Sequence, residues 1–589
     1  MSALLIVVVT FVGYLIAYHT YGRLLARRIF RLRHDAVMPS QALHDGIDFV
    51  PTRKGIIFGH HYTSIAGTGP IVGPAIGIIW GWVPALMWVF VGSIIMGAVH
   101  DFGSLVVSLR NEGKSISEAA ARYINRRVRM IFFLIVFLAL LIVIAIFAWV
   151  IAFVFNKYKH AVLPIWGQVP IALLLGLLVY RFRANLTLTT LASVAAMYIL
   201  ILVGQATPLE ITPKAAQAVN LTPAGLWVLI LLAYVYIASA LPVTVLLQPR
   251  DYINAWQLFV AMALLVAGII AATFSGGLPL VAPAFNASPP GAPPIWPFLC
   301  ITIACGAISG FHSLVASGTT AKQVRKETDA LFVGYGSMLL EAALAVLVII
   351  GVSAGIGLAY EAGGHTLTGA AAWKYHYASW DAAQGLGSKI DAFVKGSANM
   401  LQALGIPTAI GITFIGVFIA SFAGTTLDTA TRIQRYVFAE LVSDIKLPAL
   451  ANRWVATAVA VVAAGALAFA TGADGKGALT LWPMFGAVNQ LLAALALLVI
   501  TIYLRRRGGW GFLLTLGPCL FMLVLTIWAM VSNEIGFITK QVADDYPAYM
   551  KWTLVVVNGA TLLLAVAMAV EAMITLLRLT PEETQPARA

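Results

Sequence analysis

The sequence predicts an all-α polytopic membrane protein of about fifteen spans, with two inverted five-helix repeats, discontinuous helices and additional transmembrane helices. Composition is the first observation: 60% of the 589 residues are apolar, 10% are charged and the mean hydropathy is +0.90, whereas soluble domains carry roughly 25% charged residues. The second is the recurrence of apolar runs of about 20 residues, the length that crosses a bilayer. The third is the placement of basic residues in alternate loops.

The apolar runs are separated by charged or Pro/Gly-rich breaks. They predict spans near 2–22, 57–82, 83–109, 130–156, 168–180, 187–207, 223–247, 252–275, 296–318, 330–358, 405–427, 454–472, 480–503, 511–531 and 552–577. We divide the chain into an N-terminal membrane helix with a basic cytoplasmic segment (1–56), a first inverted repeat (57–207), a second inverted repeat with an outer loop at 360–404 (223–427), and additional C-terminal transmembrane helices (451–589).

Loop charge predicts the orientation. Of the 37 lysines and arginines, 28 fall in one set of alternate loops and nine in the other. Because basic residues stay cytoplasmic during insertion, the first set is predicted to lie inside, with the N-terminus outside and the C-terminus inside. The net charge of +13 is thereby explained without a nucleic-acid partner, and the partner expected from composition is membrane lipid.

The stretch "FGHHYTSIAGTGPIVGPAIGIIWGW", residues 58–82, places several glycines and two prolines inside a predicted span. Unpaired backbone in lipid is costly, so such a segment must be walled in by protein or line a watery cavity. Unwound backbone can then bind a cation, and a half-helix N-terminus can face a carboxylate. The candidate substrate ligands here are Ser64, Gly67, Thr68, Gly69 and Gly73. The alternative is that the glycines only permit close helix packing.

A second interruption is predicted at Ser239 and Pro242, in "YVYIASALPVTVLLQPRDY". It lies five spans after the first and runs the opposite way through the membrane. Two interrupted helices in matching positions of inverted halves are the pattern of a secondary transporter of the LeuT architecture. Ser239 and Pro242 are therefore added to the candidate substrate site.

Polar residues inside predicted spans supply candidates for ion coupling. His100 and Asp101, in "MGAVHDFGSLVVSLR", form the candidate proton relay, with a structural salt bridge or helix cap as the alternative. The hydroxyls of Ser309, Ser313 and Ser317, in "CGAISGFHSLVASGTT", are candidate sodium ligands. Their alternative role is to hydrogen-bond carbonyl groups of their own helix.

The histidines also allow a metal hypothesis. His60, His61 and His312, with the pair at 100 and 101, could supply two or three ligands if their helices converge. Adjacent histidines point to different helix faces, so at most one of His60 and His61 would join a given site. Glu341 is a further carboxylate within a predicted span, whose other residues are typical of plain core.

Six stretches in order closely resemble the CstA-type carbon starvation protein family: "GHHYTSIAGTGPIVGPAIG", "GAVHDFGSLVVSLRNEGKSI", "LPVTVLLQPRDYIN", "CGAISGFHSLVASGTT", "TTLDTATRIQRY" and "LWPMFGAVNQLLAALAL". The resemblance runs from about residue 20 to about residue 505. It implies a bacterial or archaeal cytoplasmic membrane protein that takes up peptides or pyruvate, within the amino acid, polyamine and organocation superfamily of LeuT-type fold.

We therefore expect an ion-coupled secondary importer of pyruvate or short peptides in the bacterial inner membrane, used for scavenging in carbon starvation. No cofactor is required, and the coupling ion is H⁺ or Na⁺. Two alternatives remain: a nutrient sensor that binds substrate without moving it, and a membrane protein that binds a metal or haem.

Overall fold

A computed structural model describes residues 2–444, 446–542 and 547–578, and nearly all of the regular structure in these ranges is helical. The first helices are α1 (Ala3–Ala17), α2 (Pro39–Ala42), α3 (Lys54–Ile65), α4 (Gly69–Gly77), α5 (Trp82–Gly92), α6 (Ala98–Leu109), α7 (Ile116–Tyr123), α8 (Arg126–Lys157), α9 (Val162–Gly176), α10 (Leu186–Ala206), α11 (Pro213–Gln217), α12 (Pro223–Ala240) and α13 (Leu247–Ser275). The remaining ones are α14 (Ile295–Thr302), α15 (Gly310–Gly318), α16 (Ser337–Ser353), α17 (Gly369–His376), α18 (Trp380–Ala383), α19 (Leu386–Gln402), α20 (Thr408–Asp444), α21 (Arg453–Ala468), α22 (Trp482–Arg506), α23 (Leu513–Thr539) and α24 (Ala548–Arg578).

Shorter elements extend or join these helices. Wide π-helical turns cover Tyr18–Gly22, Leu25–Ile29, Ser93–Gly97, Leu177–Arg181 and Leu331–Gly336, and 3-10 turns cover Ile78–Trp80, Lys159–Ala161, Thr320–Lys322, Glu327–Asp329, Gly355–Gly357, Pro448–Ala451 and Gly477–Leu481. One antiparallel hairpin pairs β1 (Tyr360–Ala362) with β2 (His365–Leu367). The predicted outer loop 360–404 is therefore an ordered segment of this hairpin and α17–α19.

The all-helical membrane fold is confirmed, but the count of fifteen spans is not. In the described ranges, twelve helices are long and apolar enough to cross a membrane, or up to thirteen if one bent pair counts as a span. The three predicted spans outside the twelve are 57–82, 296–318 and 454–472. The first is the bent pair α3 and α4, the second consists of the short helices α14 and α15, and the third, α21, has only 16 residues.

The predicted interruption at Ser239 and Pro242 is wrong in position. Helix α12 ends at Ala240 and α13 begins at Leu247, so Pro242 lies in the connection between two separate spans. The second interrupted segment is instead the run from α14 to α15, whose helices are separated by residues 303–309. Pro242 thus lies just after the end of a helix, a common position for proline. The division of the chain into inverted repeats stays a prediction.

Helices α16 and α22 form the buried centre of the molecule, whereas α1, α10 and α24 keep broad apolar faces exposed. The bent pair α3 and α4 is enclosed by α13, α16, α19 and α20. Its interrupted backbone is thus walled in by protein, as the cost of unpaired backbone in lipid requires.

Candidate functional site

A cavity of about 710 Å³ lies against both interrupted helices. Its wall includes Gly67 and Thr68 at the first break, Cys305 and Ser309 at the second, and Phe147 of α8. Further lining comes from α19, from the N-terminal end of α22 and from the C-terminal end of α23. The volume lies within the range of about 300–1,000 Å³ typical of small-molecule sites.

The first break separates α3 from α4 by a bend of 43°. Two carbonyl groups freed at the end of α3 accept hydrogen bonds from α20: Thr425 Oγ1 donates to Thr63 O at 3.0 Å, and Thr426 Oγ1 donates to Ser64 O at 3.2 Å. Helix α4 then begins at Gly69, which lines the cavity. Because a helix N-terminus carries a partial positive charge, this end suits an anionic group.

The glycines of α4 allow the two interrupted segments to touch. A Cβ at Gly73 would lie 2.7 Å from Thr302 O, and one at Gly69 would overlap the Cys305 side chain. Neither glycine has a positive φ, so close approach, and not an unusual backbone conformation, is what requires glycine here. Both residues also line the cavity, so the surface that packs the two segments together forms part of the cavity wall.

The second break has its own polar partners. The Gly306 N–H donates to Glu341 Oε1 at 3.1 Å, and the Phe311 N–H donates to Asn489 Oδ1 at 2.9 Å. Trp88 Nε1 donates to Ile303 O at 2.8 Å. These contacts explain why polar side chains lie within α16 and α22.

The predicted substrate residues divide into two groups. Gly67, Thr68, Gly69 and Gly73 line the cavity. The other three do not: Ser64 Oγ pairs with Thr429 Oγ1 at 3.0 Å, Ser239 Oγ donates to Asp428 O at 3.0 Å, and Pro242 lies in the α12–α13 connection.

The predicted proton relay, His100 and Asp101, lies in a buried cluster with His312 and Glu341. Asp101 Oδ1 lies 2.8 Å from His100 Nδ1, and Asp101 Oδ2 lies 3.0 Å from His312 Nδ1. On the other side of this imidazole, His312 Nε2 lies 3.3 Å from Glu341 Oε2. All four side chains are inaccessible to solvent. Glu341 was named from the sequence as a carboxylate within a span, but its contact with His312 was not predicted because that span otherwise resembles plain core. The relay at His100 and Asp101 stays a prediction.

Each of the three serine hydroxyls has a hydrogen-bond partner within the protein. Ser313 Oγ donates to Gly310 O and Ser317 Oγ to Ser313 O, each at 2.7 Å, and the Ser309 hydroxyl contacts Asn489. Their sodium role also stays a prediction.

Of the set proposed for a metal, His312, His100 and Asp101 meet, whereas His60 and His61 pair with other side chains. Both ring nitrogens of His60 are occupied, by Asp251 Oδ2 at 2.5 Å and by Thr319 Oγ1 at 3.2 Å, and His61 Nδ1 pairs with Thr320 Oγ1 at 2.8 Å. The metal role of His60 and His61 stays a prediction. The group whose ligand atoms do converge contains His312 with Cys305 and Glu341.

Lys389 is a cavity residue that sequence analysis did not identify. It lies on α19, is only 6% exposed, and its Nζ is 5.6 Å from the ring centroid of Trp482, another lining residue. Within the described ranges no carboxylate forms an ion pair with it. Burial lowers the pKa of Lys389 from 10.5 to about 7. The cavity thus offers an ammonium group whose charge an incoming anion would stabilise.

Ion pairs stabilise the other end of the molecule, which lies away from this cavity. Asp48 Oδ1 accepts from Arg432 Nη1 at 2.7 Å and from Arg435 Nη2 at 2.8 Å. Burial opposes ionisation of Asp48, but Arg432, Arg435 and Lys322 outweigh it and lower its pKa to about 2. Nearby, Arg250 on α13 forms an ion pair with Asp428 on α20. These contacts tie the segment before α3 and the start of α13 to α20.

Comparison with known proteins gives three findings. A family profile described as carbon starvation protein CstA matches residues 2–529. The chain is 32% identical to a peptide transporter CstA of Campylobacter jejuni, over 90% of this chain and 80% of the relative, and 30% identical to the pyruvate/proton symporter BtsT of Escherichia coli, over 90% and 81%. Among solved structures it is similar to MhsT in complex with L-phenylalanine (13% identity, TM-score 0.47, 88% and 98% coverage) and to a manganese transporter of Eremococcus coleocola (12%, 0.46, 91% and 99%).

Proposed function

The chain belongs to the carbon starvation protein CstA family, and from this membership we propose that it imports a small carboxylate solute, pyruvate or a short peptide, across the bacterial cytoplasmic membrane. Uptake is driven by the entry of a coupled cation. Relatives named as peptide transporter and as pyruvate/proton symporter support both the substrate class and the proton as that cation.

The observation that carries the proposal is the ammonium of Lys389 in the cavity wall. Pyruvate and peptides share a carboxylate, and an ionised acceptor makes a shorter and stronger hydrogen bond to an ammonium than a neutral one does. The N-terminus of α4, at Gly69, supplies a second positive feature in the same cavity. A neutral solute would not gain this charge-assisted hydrogen bond with the buried Lys389 ammonium.

The contrast between the two ends of the molecule, a cavity at one and ion pairs at the other, favours transport over binding alone. The cavity is bordered by α19 and by residues 536–540 at the end of α23, on the side predicted from charge to lie outside. The other end is held by ion pairs of Asp48 and of Arg250. Import requires these ion pairs to separate while α19 closes over the cavity. The ends then open alternately around the broken helix.

The test is uptake of radiolabelled pyruvate and of a labelled dipeptide by the full chain in proteoliposomes. Inward proton and sodium gradients are imposed in turn, with a protonophore as the control for the proton gradient. We expect accumulation of at least one substrate that follows the proton gradient and is lost when the gradient is collapsed.

Binding of either substrate without uptake under any gradient would contradict the transporter and favour a sensor. Uptake that follows the sodium gradient alone would refute the proton as the coupled cation, but it would still support an ion-coupled importer. An absorption spectrum of the purified chain distinguishes the haem alternative, because haem is intensely coloured.

A further inference from the structure

We infer that Cys305, His312 and Glu341 form a binding site for a divalent transition metal ion, and that Zn²⁺ fits this ligand set best. Cys305 lies between α14 and α15, His312 lies in the first turn of α15, and Glu341 lies on α16. One ligand atom from each residue (Sγ, a ring nitrogen and a carboxylate oxygen) lies within 4.8 Å of the other two. This set shares only His312 with the histidines that the sequence suggested.

The orientation of His312 is that of a metal ligand. Its Nδ1 lies 3.0 Å from Asp101 Oδ2, and since an ionised carboxylate only accepts, Nδ1 carries the hydrogen. In the neutral ring Nε2 then presents a lone pair, and Glu341 Oε2, a second acceptor, lies 3.3 Å from it. Neither atom has a hydrogen-bond partner within the described residues. A carboxylate behind a histidine whose other nitrogen is free is the usual arrangement around bound zinc.

The spacing is close to that of a tetrahedral ion. Bond lengths of about 2.0–2.3 Å place tetrahedral ligands roughly 3.3–3.8 Å apart, and His312 Nε2 and Glu341 Oε2 already have a separation of 3.3 Å. Cys305 needs to approach by about 1 Å, and it lies in a loop beside Gly306, whose φ is +88°. A thiolate with an imidazole and a carboxylate favours Zn²⁺ over Mg²⁺ or Ca²⁺, which prefer oxygen ligands alone.

The site adjoins the cavity. Cys305 lines the cavity wall and is partly exposed, whereas His312 and Glu341 are fully buried. Three protein ligands leave one position of a tetrahedral ion open, as in zinc sites that bind water or a small ligand. An ion would reach the ligands from the cavity side, past Cys305.

Cobalt binding to the purified full chain tests the inference, because Co²⁺ occupies zinc sites and its thiolate bond gives a charge-transfer absorption. The protein is stripped with a chelator and then titrated with Co²⁺. We expect one equivalent per chain with this absorption, and displacement by Zn²⁺. Cys305→Ser should lose the absorption, and the matched variant Cys519→Ser, at a buried cysteine on α23, should keep it. Asp101→Asn should weaken binding about 10- to 100-fold, as removing a carboxylate behind a ligand does.

The competing occupant is a proton, because a doubly protonated His312 would also bridge the two carboxylates. In that case wild-type protein shows no charge-transfer absorption and the same melting temperature with Zn²⁺ as with chelator, and either result overturns the inference. Both measurements on wild-type protein stand even if a variant fails to fold. Neither needs a substrate or a gradient, so failure of the proposed transport leaves the metal site standing, and the reverse also holds.

Discussion

Replacing Lys389 with methionine is expected to stabilise the substrate-free protein and to weaken carboxylate binding at the same time. Burial lowers the pKa of this lysine from 10.5 to about 7. At 1.36 kcal/mol per pKa unit, the difference corresponds to on the order of 5 kcal/mol, which is the most that burying the ammonium can cost. Since Lys389 faces the cavity, we expect a gain of about 0.5–2 kcal/mol from Lys389→Met, the range of single stabilising substitutions.

Binding should change in the opposite direction. A hydrogen bond to a charged group contributes about 1.5–3 kcal/mol, so Lys389→Met should raise the Kd for the carboxylate about 10- to 100-fold. The sign of the pH effect follows from the lowered pKa: the ammonium is charged below about pH 7 and neutral above it. Wild-type affinity should therefore fall as the pH rises above 7. Lys389→Arg should remove this dependence because the guanidinium stays charged.

The assay is a binding titration in detergent with a melting curve at each pH. The matched control is Lys395→Met on the same helix, whose Nζ pairs with Asp391 at 3.0 Å and which does not line the cavity. It should bind substrate as wild type does. A Lys389→Met protein that melts earlier and binds normally would show that the lysine is structural, and would refute the carboxylate site.

Three further experiments test the packing of the two interrupted segments, the ion pairs of Asp48 and the orientation in the membrane. Gly73→Ala places a Cβ 2.7 Å from the backbone oxygen of Thr302, so it should cost about 1–3 kcal/mol of stability and weaken substrate binding. In the control Gly517→Ala the new Cβ meets nothing within 4 Å, so this variant should bind substrate as wild type does and melt at the same temperature or slightly higher. Equal behaviour of the two variants would contradict the close contact at Gly73. Asp48→Asn should cost about 3 kcal/mol by leaving two arginines without their carboxylate, and a wild-type melting temperature would count against that ion pair. A cysteine placed at Gly364 should react with an impermeant thiol reagent in intact cells while one at Gly113 should not, and the reverse pattern would invert the orientation.

The features that the bilayer requires of a membrane protein could be predicted from the sequence. Twelve of the predicted spans and the first break follow from the length of apolar runs and from the cost of unpaired backbone in lipid. The second break was missed because residues 303–309 contain one internal glycine and no proline, whereas Pro242 drew attention and only separates two helices. Proline marks a helix end as well as an interruption, and the sequence alone does not distinguish these cases.

The chemistry of the site was harder to predict because it depends on contacts between distant residues. Asp101 and His312 are 211 residues apart, and Glu341 joins them from a third helix. Lys389 lies in a stretch of ordinary outer-loop composition, and only the packing of α19 onto α4 brings it to the cavity. Tertiary packing determines which polar residues meet, and local sequence patterns do not predict it.

The ion pair between Asp48 and Arg432 has a consequence for assembly, because its partners lie 384 residues apart. At about 5–20 residues per second, the ribosome needs roughly 20–80 s to make the chain between them. Throughout that interval the carboxylate is already synthesised while the helix that will neutralise it has not yet left the ribosome. This ion pair therefore forms only after most of the helices have been made, and a chain that stops before α20 cannot form it.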